Sequence, residues 1–306
     1  MEQFQVSVCI CTRNRPDDLR KALESVSRSV YPVHEIIVSD DSTDELTREL
    51  VEFQFPSVRY LSGPRRGLCA NRNHALKAVT GTHVLFIDDD VVLDPHFLAR
   101  IYDCWLANPS PRHKVIITGL ELRNGHLIYP HDQDFLGYQV RPYQQREMVK
   151  TVVINSTVFP MTLFQEMCFD EQLVYGYDEV DLTTRAVARN YRIILCERAV
   201  NCHYPSPVNR DLYRPYIEAS RLYVTYKRYV YSEGKRIKGW MFLVIAGLHN
   251  LFHSLKRAKW QGWSMAAFTF KTALSYIRHY ARVTPAALRP AYRKRCPEAI
   301  FDRAEG

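Results

Sequence analysis

Four short, β-rich apolar runs alternate with three helical periodicities over the first ninety residues, and no other feature restricts the fold as strongly. "VSVCICT" (6–12) reads as a strand. Pro16 then opens "PDDLRKALESVSRSV", in which Leu19, Ala22, Leu23, Val26 and Val30 recur at helical spacing behind two first-turn acids. "EIIVS" (35–39) is a second strand, and "STDE" (42–45) carries a capping box, Ser42 with Glu45 three residues on, that opens a helix to about Phe53. "SVRYL" (57–61) is a third strand, "LCANRNHALKAV" (68–79) a helix stopped by Gly81, and "HVLFI" (83–87) a fourth strand. Units of this length predict a parallel, doubly wound sheet with right-handed crossovers, whose ligands bind at the carboxyl ends of the strands.

Beyond Asp94 the pattern loosens. A helix (about 96–107) leads to the strand "KVIITGLEL" (114–122), and residues 130–148 carry few regular signals, as suits an acceptor loop or lid. "TVVINSTVF" (151–159) reads as a strand, "EVDLTTRAVARN" (179–190) as a helix and "YRIILC" (191–196) as a strand. "PSP" at 205–207 marks a boundary, after which the chain is helical in pattern to about 283 and rich in Tyr, Trp, Arg and Lys. The 306 residues, 46% hydrophobic and 24% charged, suit one large or two medium globular domains. Charge divides at the same boundary: residues 1–205 hold 22 Lys and Arg against 27 Asp and Glu, and 206–306 hold 19 against 6, splitting the net +8 into −5 and +13. A basic tail on an acidic body implies an anionic surface as its partner, nucleic acid or the cytoplasmic leaflet of a membrane. The start, "MEQFQVSVCICT", lacks the basic and apolar regions of a secretory signal, so a cytoplasmic protein is expected. The eight cysteines form no C-x-x-C pair and read as reduced structural thiols.

Three acidic clusters stand out. In "HVLFIDDDVVLDPHF" (83–97), Asp88, Asp89 and Asp90 end an apolar strand, although like charges this close repel and burial raises the cost. Capping does not explain them, because Asp94 with Pro95 already supplies the start of the next helix. Extended backbone sends Asp88 and Asp90 the same way, about 7 Å apart, where a divalent cation would relieve the repulsion. "SDDST" (39–43) leaves Asp40 and Asp41 to accept hydrogen bonds from a ribose or base, or simply to form a turn. In "YGYDEVDLTTRA" (175–186), Asp178 suits an N-cap and Asp181 pairs with Arg185 at i, i+4; Glu179 in the first turn suits either helix stabilisation or general-base work. His203, alone in "AVNCHYP", reads on its own as a packed or surface histidine.

Taken in order, "VSVCICTRNRPDDLRKALESV", "EIIVSDDSTDE", "GLCANRNHALKAVTGTHVLFIDDDVVLDPHFL", "FDEQLVYGYDEVDLTTRAVARNYRI" and "VNCHY" resemble glycosyltransferase family 2, inverting enzymes of the GT-A fold, from about Val6 to His203. The resemblance implies a catalytic domain over 1–205, with nucleotide-sugar binding in about 1–110 and an acceptor part in 111–205, followed by a helical basic extension over 206–306. Thr12 and its neighbour Arg13 would line the nucleotide pocket, Asp41 would read the base, and Arg72 would meet the nucleotide or its phosphates. Asp88 and Asp90 are the outer positions of a D-x-D motif, Asp88 toward ribose and metal and Asp90 on the cation. Asp89 is grouped with the nucleotide-sugar contacts through its place in the motif, while its side chain points to the other side of the strand. The family base falls on Glu179, with Asp178 as the alternative, and His203 matches a histidine that completes a Mn²⁺ or Mg²⁺ shell. Two departures are visible: the glycine of "DDGST" is missing after Asp41, and the acid pair is inverted.

The activity so implied moves a sugar from a nucleoside diphosphate sugar (UDP-, GDP- or dTDP-linked) to a glycan or lipid-linked acceptor hydroxyl in a single displacement. In the tail, "GWMFLVIAGLHNLFHSL" (239–255) has no charged side chain but only 17 residues, about 25 Å of helix and short of a span. With "KRAKW" and "GWSMAAFTFKTALSYIRHYA" (262–281) it suits a helix lying on anionic lipid, or equally two core helices. Rival activities are nucleotidyl transfer on a similar fold and non-catalytic nucleic-acid binding through the tail.

Overall fold

A computed structural model describes residues 3–109, 112–144, 147–205 and 210–283, without the side chains of 210–213 and 257–262. The boundary expected at 205–207 lies outside the described residues after Pro205. In chain order the elements are β1 (Val6–Thr12), α1 (Pro16–Ser27), β2 (Glu35–Asp40), α2 (Leu46–Gln54), β3 (Arg59–Ser62), α3 (Leu68–Leu76), β4 (His83–Asp88), β5 (Val91–Val92), α4 (Phe97–Ala107), β6 (Val115–Arg123), β7 (His126–Ile128), β8 (His131–Gln133), β9 (Gln139–Pro142), β10 (Thr157–Pro160), α5 (Met161–Glu166), α6 (Asp178–Val187), β11 (Arg192–His203), α7 (Arg210–Lys227) and α8 (Arg236–Val283).

The expected α/β architecture forms. The main sheet runs β3-β2-β1-β4-β10-β6-β11-β5, with β7 on β6. Its long pairings (β1 with β2 and β4, β2 with β3, β6 with β11) are parallel, and the short ones through β10, β5 and β7 are antiparallel. Every residue of β1 is buried, which is why "VSVCICT" is apolar without alternation. Helices cover both faces: one core cluster joins Val8, Ile10, Leu23 and Phe97, the other Cys9, Phe86, Phe159 and Leu182. The second cluster continues into the C-terminal helices through Tyr223, Val224 and Tyr276. The described cysteines are free thiols, most of them buried.

Four expectations are corrected. The Ser42–Glu45 capping box does not form; α2 begins at Leu46 without a side-chain cap. The Ser42 hydroxyl instead accepts from the Asn14 N–H at 2.7 Å, fastening the loop after β1. Asp178 is not an N-cap. Gly176 and Tyr177 both take left-handed φ values (75° and 64°), which turns the chain so sharply that Tyr177 is the cap and Asp178 the first helical residue. Residues 130–148 contain a two-stranded hairpin, β8 with β9. The tail's two apolar stretches belong to one 48-residue helix, α8.

Candidate active site

The parallel register places Cys11 beside Asp88 and Thr12 beside Asp40, so the carboxyl ends of β1, β2 and β4 open on one cleft. There the three consecutive aspartates are each matched by a different set of partners. Asp88 accepts from Arg72 Nη2 at 3.1 Å. Asp89 turns away and is buried, accepting from the Thr12 hydroxyl (2.8 Å) and from Arg15 Nη1 (2.7 Å). Asp90 also takes Arg15 Nη1 (3.1 Å), while its other oxygen faces His203 Nε2 at 3.1 Å. Burial pushes the Asp89 carboxyl up to about 7 against the pull of Arg15 and Thr12. For Asp90 burial acts upward too, but His203 and Arg15 outweigh it and hold the group below its ordinary range.

His203 reaches Asp90 through pairing that spans over a hundred residues. β5 follows the aspartates directly and pairs with the end of β11, His203 opposite Val91. The other ring nitrogen, Nδ1, lies 2.7 Å from Glu121 Oε1 on β6, and Glu121 is almost wholly buried. Burial favours a neutral imidazole, but the two carboxylates outweigh it and raise His203 to about 9. Buried Asn155 completes the frame, accepting from the Asp88 N–H at 3.0 Å and donating to Glu121 Oε2 at 3.3 Å.

Across the cleft, Arg72 couples the aspartates to the acid pair on α6. It is 1% exposed and bridges Asp88 to Asp178. Burial works against the guanidinium charge, yet Asp178 and Asp88 hold it firmly protonated. Asp178 is consequently buried and pinned. Glu179 keeps part of its surface open, while the protein around its carboxyl desolvates it; with the Asp178 charge this pushes it up to about 8. Gln139 of β9 hydrogen-bonds Glu179, so the hairpin meets this residue directly. Asp181 is structural, bonded to Arg185 (2.7 Å) as its i, i+4 spacing predicts and also to Lys227 (2.9 Å).

Where the resemblance places the nucleotide, Asp41 is buried behind β2 and accepts from the Arg65 N–H at 2.7 Å. Burial raises its carboxyl despite that bond and the charge of Arg13, which is exposed at the mouth. Gly63 is required here: a Cβ would stand 2.3 Å from Asp41 Oδ1.

Asp90 and His203 offer two donors to a divalent cation, which would have to displace the proton they share. Two ligands at right angles on an octahedral ion with bonds of about 2.1 Å lie about 3 Å apart, and Asp90 Oδ1 and His203 Nε2 are separated by 3.1 Å. A carboxylate on the far nitrogen, as Glu121 supplies, orients a ligating histidine. Among the described residues no group of three or more His, Cys, Asp or Glu side chains stands close enough to hold a metal ion. Arg72 meets Asp88 and Asp178, and Thr12 meets Asp89; these bonds tie the cleft together from within.

Residues 7–165 match the family described as Glycosyl transferase family 2, just over half of the chain. The chain belongs to that family. Within it, the putative colanic acid biosynthesis glycosyl transferase of Escherichia coli is 27% identical over 180 residues, 56% of this chain and 63% of that protein. The chain thus spans less than two thirds of that relative. A second Escherichia coli protein, named as a UDP-Glc:alpha-D-GlcNAc-diphosphoundecaprenol beta-1,3-glucosyltransferase, is 27% identical over 110 residues, 35% of this chain and 39% of its own. A mannosyltransferase of Pyrobaculum calidifontis, solved in complex with GDP-Man and Mn²⁺, shares the fold over 90% of this chain and 88% of its own, with a TM-score of 0.55 at 16% identity.

The family match ends before Glu179 and His203, and reading the sequence missed three residues that hold the site. Arg15 carried a signal, as a cation just beyond the first strand, and Glu121 was a lone acid inside "KVIITGLEL". Gln139 carried none.

Proposed function

We propose that this family 2 protein transfers a sugar from a nucleoside diphosphate sugar to an acceptor hydroxyl, with inversion at the anomeric carbon. The observation that carries this is the cleft itself: Asp90 and His203 stand 3.1 Å apart on one wall, and a partly open Glu179 stands on the other beside Asp178, which Arg72 joins to Asp88.

Asp90 and His203, with Asp88 beside them, would hold Mn²⁺ or Mg²⁺, which supplies positive charge to the departing nucleoside diphosphate. Arg13 and Asp41 lie where the nucleotide would enter. Glu179 takes the proton from the acceptor hydroxyl while that oxygen bonds to the anomeric carbon and the bond to the diphosphate breaks. Inversion follows because base and leaving group occupy opposite walls. Its raised pKa makes Glu179 a stronger base than an ordinary carboxylate. Asp178, locked on Arg72, positions Glu179 and tunes it.

The acceptor is carried on lipid at an anionic membrane surface. The named diphosphoundecaprenol glucosyltransferase among the relatives supports this, as does the tail. Ile237, Trp240, Met241, Val244, Ile245, Leu248 and Phe252 of α8 are all exposed and fall in an arc of about 140° at 100° per residue. Lys235 and Arg236 precede this stripe and Lys256 follows it, all exposed. Among the described residues no helix is long and apolar enough to cross a membrane, which fits a helix lying on the surface.

The deciding assay is a panel of nucleotide sugars tested for Mn²⁺-dependent release of nucleoside diphosphate. Asp90→Ala should abolish turnover, and Glu179→Gln should spare donor binding while stopping transfer. Normal transfer by the glutamine variant would remove Glu179 from the mechanism.

A further inference from the structure

A cavity of about 640 Å³ lies between the hairpin, α7 and α8, lined among others by Tyr138, Arg214, His249, Asn250, His253 and Thr269. One wall belongs to the hairpin. Tyr138 faces the cavity, the next residue Gln139 bonds Glu179, and Gly137 O accepts from Tyr177 OH at 3.2 Å. On α8, His249 and His253 flank the apolar stripe, about 40° and 80° past its edge at Ile245 at 100° per residue.

The lining suits an anion. His249 and His253 stack one turn apart, centroids 6.2 Å apart at 11°, and His249 meets the edge of Tyr138. Arg214 adds a full charge from α7. Glu218 is the carboxylate of the lining, and its charge is already matched by buried Arg221 at 2.9 Å. Asn250 and Thr269, both mostly buried (8% and 4% exposed), add a side-chain amide and a hydroxyl to the lining.

The geometry points to this cavity as the subsite for the phosphate-bearing group that carries the acceptor, its lipid leaving along the α8 stripe and its sugar hydroxyl passing the hairpin to Glu179. This rests on the lipid-linked reading above and adds where such an acceptor is gripped. The volume is within the range of small-ligand sites.

The test is isothermal titration of the full chain, free of divalent metal, with geranyl diphosphate and separately with inorganic pyrophosphate. Geranyl diphosphate should bind the wild type, about 10-fold more weakly in Arg214→Gln and again in the His249→Ala/His253→Ala pair, and equally well in Asp90→Ala. Arg214, His249 and His253 are exposed enough for these variants to melt like the wild type. Equal affinity for pyrophosphate would keep an anion site and overturn the lipid assignment. No binding of either probe, or a loss confined to Asp90→Ala, would overturn the subsite altogether. If Glu179→Gln kept its transfer activity while Arg214→Gln lost the probe, the catalytic proposal would fall and the subsite would stand.

Discussion

Glu179 and Asp178 are adjacent carboxylates at one helix start, and their surroundings divide them. Arg72 bonds Asp178, whereas for Glu179 its own N–H, the more distant charge of Arg72 and Gln139 together do not offset the desolvation of its carboxyl. If Glu179 is the base, transfer by the wild type should rise with pH and level off above about 8. Glu179→Gln should lower the transfer rate by about two to four orders of magnitude and flatten that profile. Stability should move oppositely. A carboxyl raised in the folded state favours folding below its unfolded value of 4.5 and loses that contribution as pH climbs through about 8. The glutamine variant should therefore melt like the wild type near pH 4.5 and increasingly above it toward pH 8.5, by scanning fluorimetry; equal melting at all pH would deny the raised pKa. Glu121 permits a second check. It touches the far nitrogen of His203 and is almost wholly buried, so Glu121→Gln should weaken Mn²⁺ affinity about 10- to 100-fold, read by titration of the metal against turnover, while nucleotide affinity without metal stays unchanged.

The hairpin β8–β9 is held beside Glu179 by the C-terminal helices. Arg221 donates to Leu136 O, Arg228 to Gln133 Oε1 (2.9 Å) and Asp134 O (3.2 Å), and Tyr229 OH to Phe135 O (2.9 Å). Arg228 and Tyr229 lie in a π-helical turn, Arg228–Ser232, between α7 and α8, a local form often found at functional sites. Arg221→Met strands Leu136 O and Glu218, at about 2–3 kcal/mol, and frees the strand bearing Gln139. Its acceptor KM should rise and its donor KM should not; a change in donor KM alone would disconnect the hairpin from acceptor binding. Much of this frame was legible in sequence. The strands and helices through β4 were, because most are apolar runs or 3.6-residue periods; β3, which contains Arg59, and α3, which buries Asn71, Arg72 and Asn73, followed from their place in the alternation. The clasp was not, because residues 130–148 have neither period, and the bonds that order them go mostly to carbonyls, which any residue carries. His203 is the intermediate case: its neighbour Asp90 is set by β5 pairing with β11, and a two-residue strand leaves no periodic trace.

At the scale of the molecule, an acidic body carries a basic helical tail whose outer face is apolar. The inner face of α8 buries Phe242, Leu243 and Ala246, so a core helix was a sound expectation for half its surface. The outer face is not part of that core, since Trp240 and Phe252 remain 60% and 67% exposed. Inserting either into the interface gains about 1.5–3 kcal/mol, and the basic residues add about 1 kcal/mol each against anionic lipid, an attraction that salt screens. At about 0.1 M salt, where that attraction still reaches about 10 Å, the chain should therefore sediment with vesicles of phosphatidylglycerol and phosphatidylcholine, and at about 0.5 M it should be partly released. The double variant Trp240→Ser/Phe252→Ser should bind about 100-fold more weakly with an unchanged melting temperature, because both side chains are mostly exposed. Transfer to a soluble acceptor should survive in that variant, while transfer to a vesicle-borne one should fall with the binding. Failure of the wild type to sediment with anionic vesicles at low salt would leave the stripe to some other partner and remove the membrane from the mechanism.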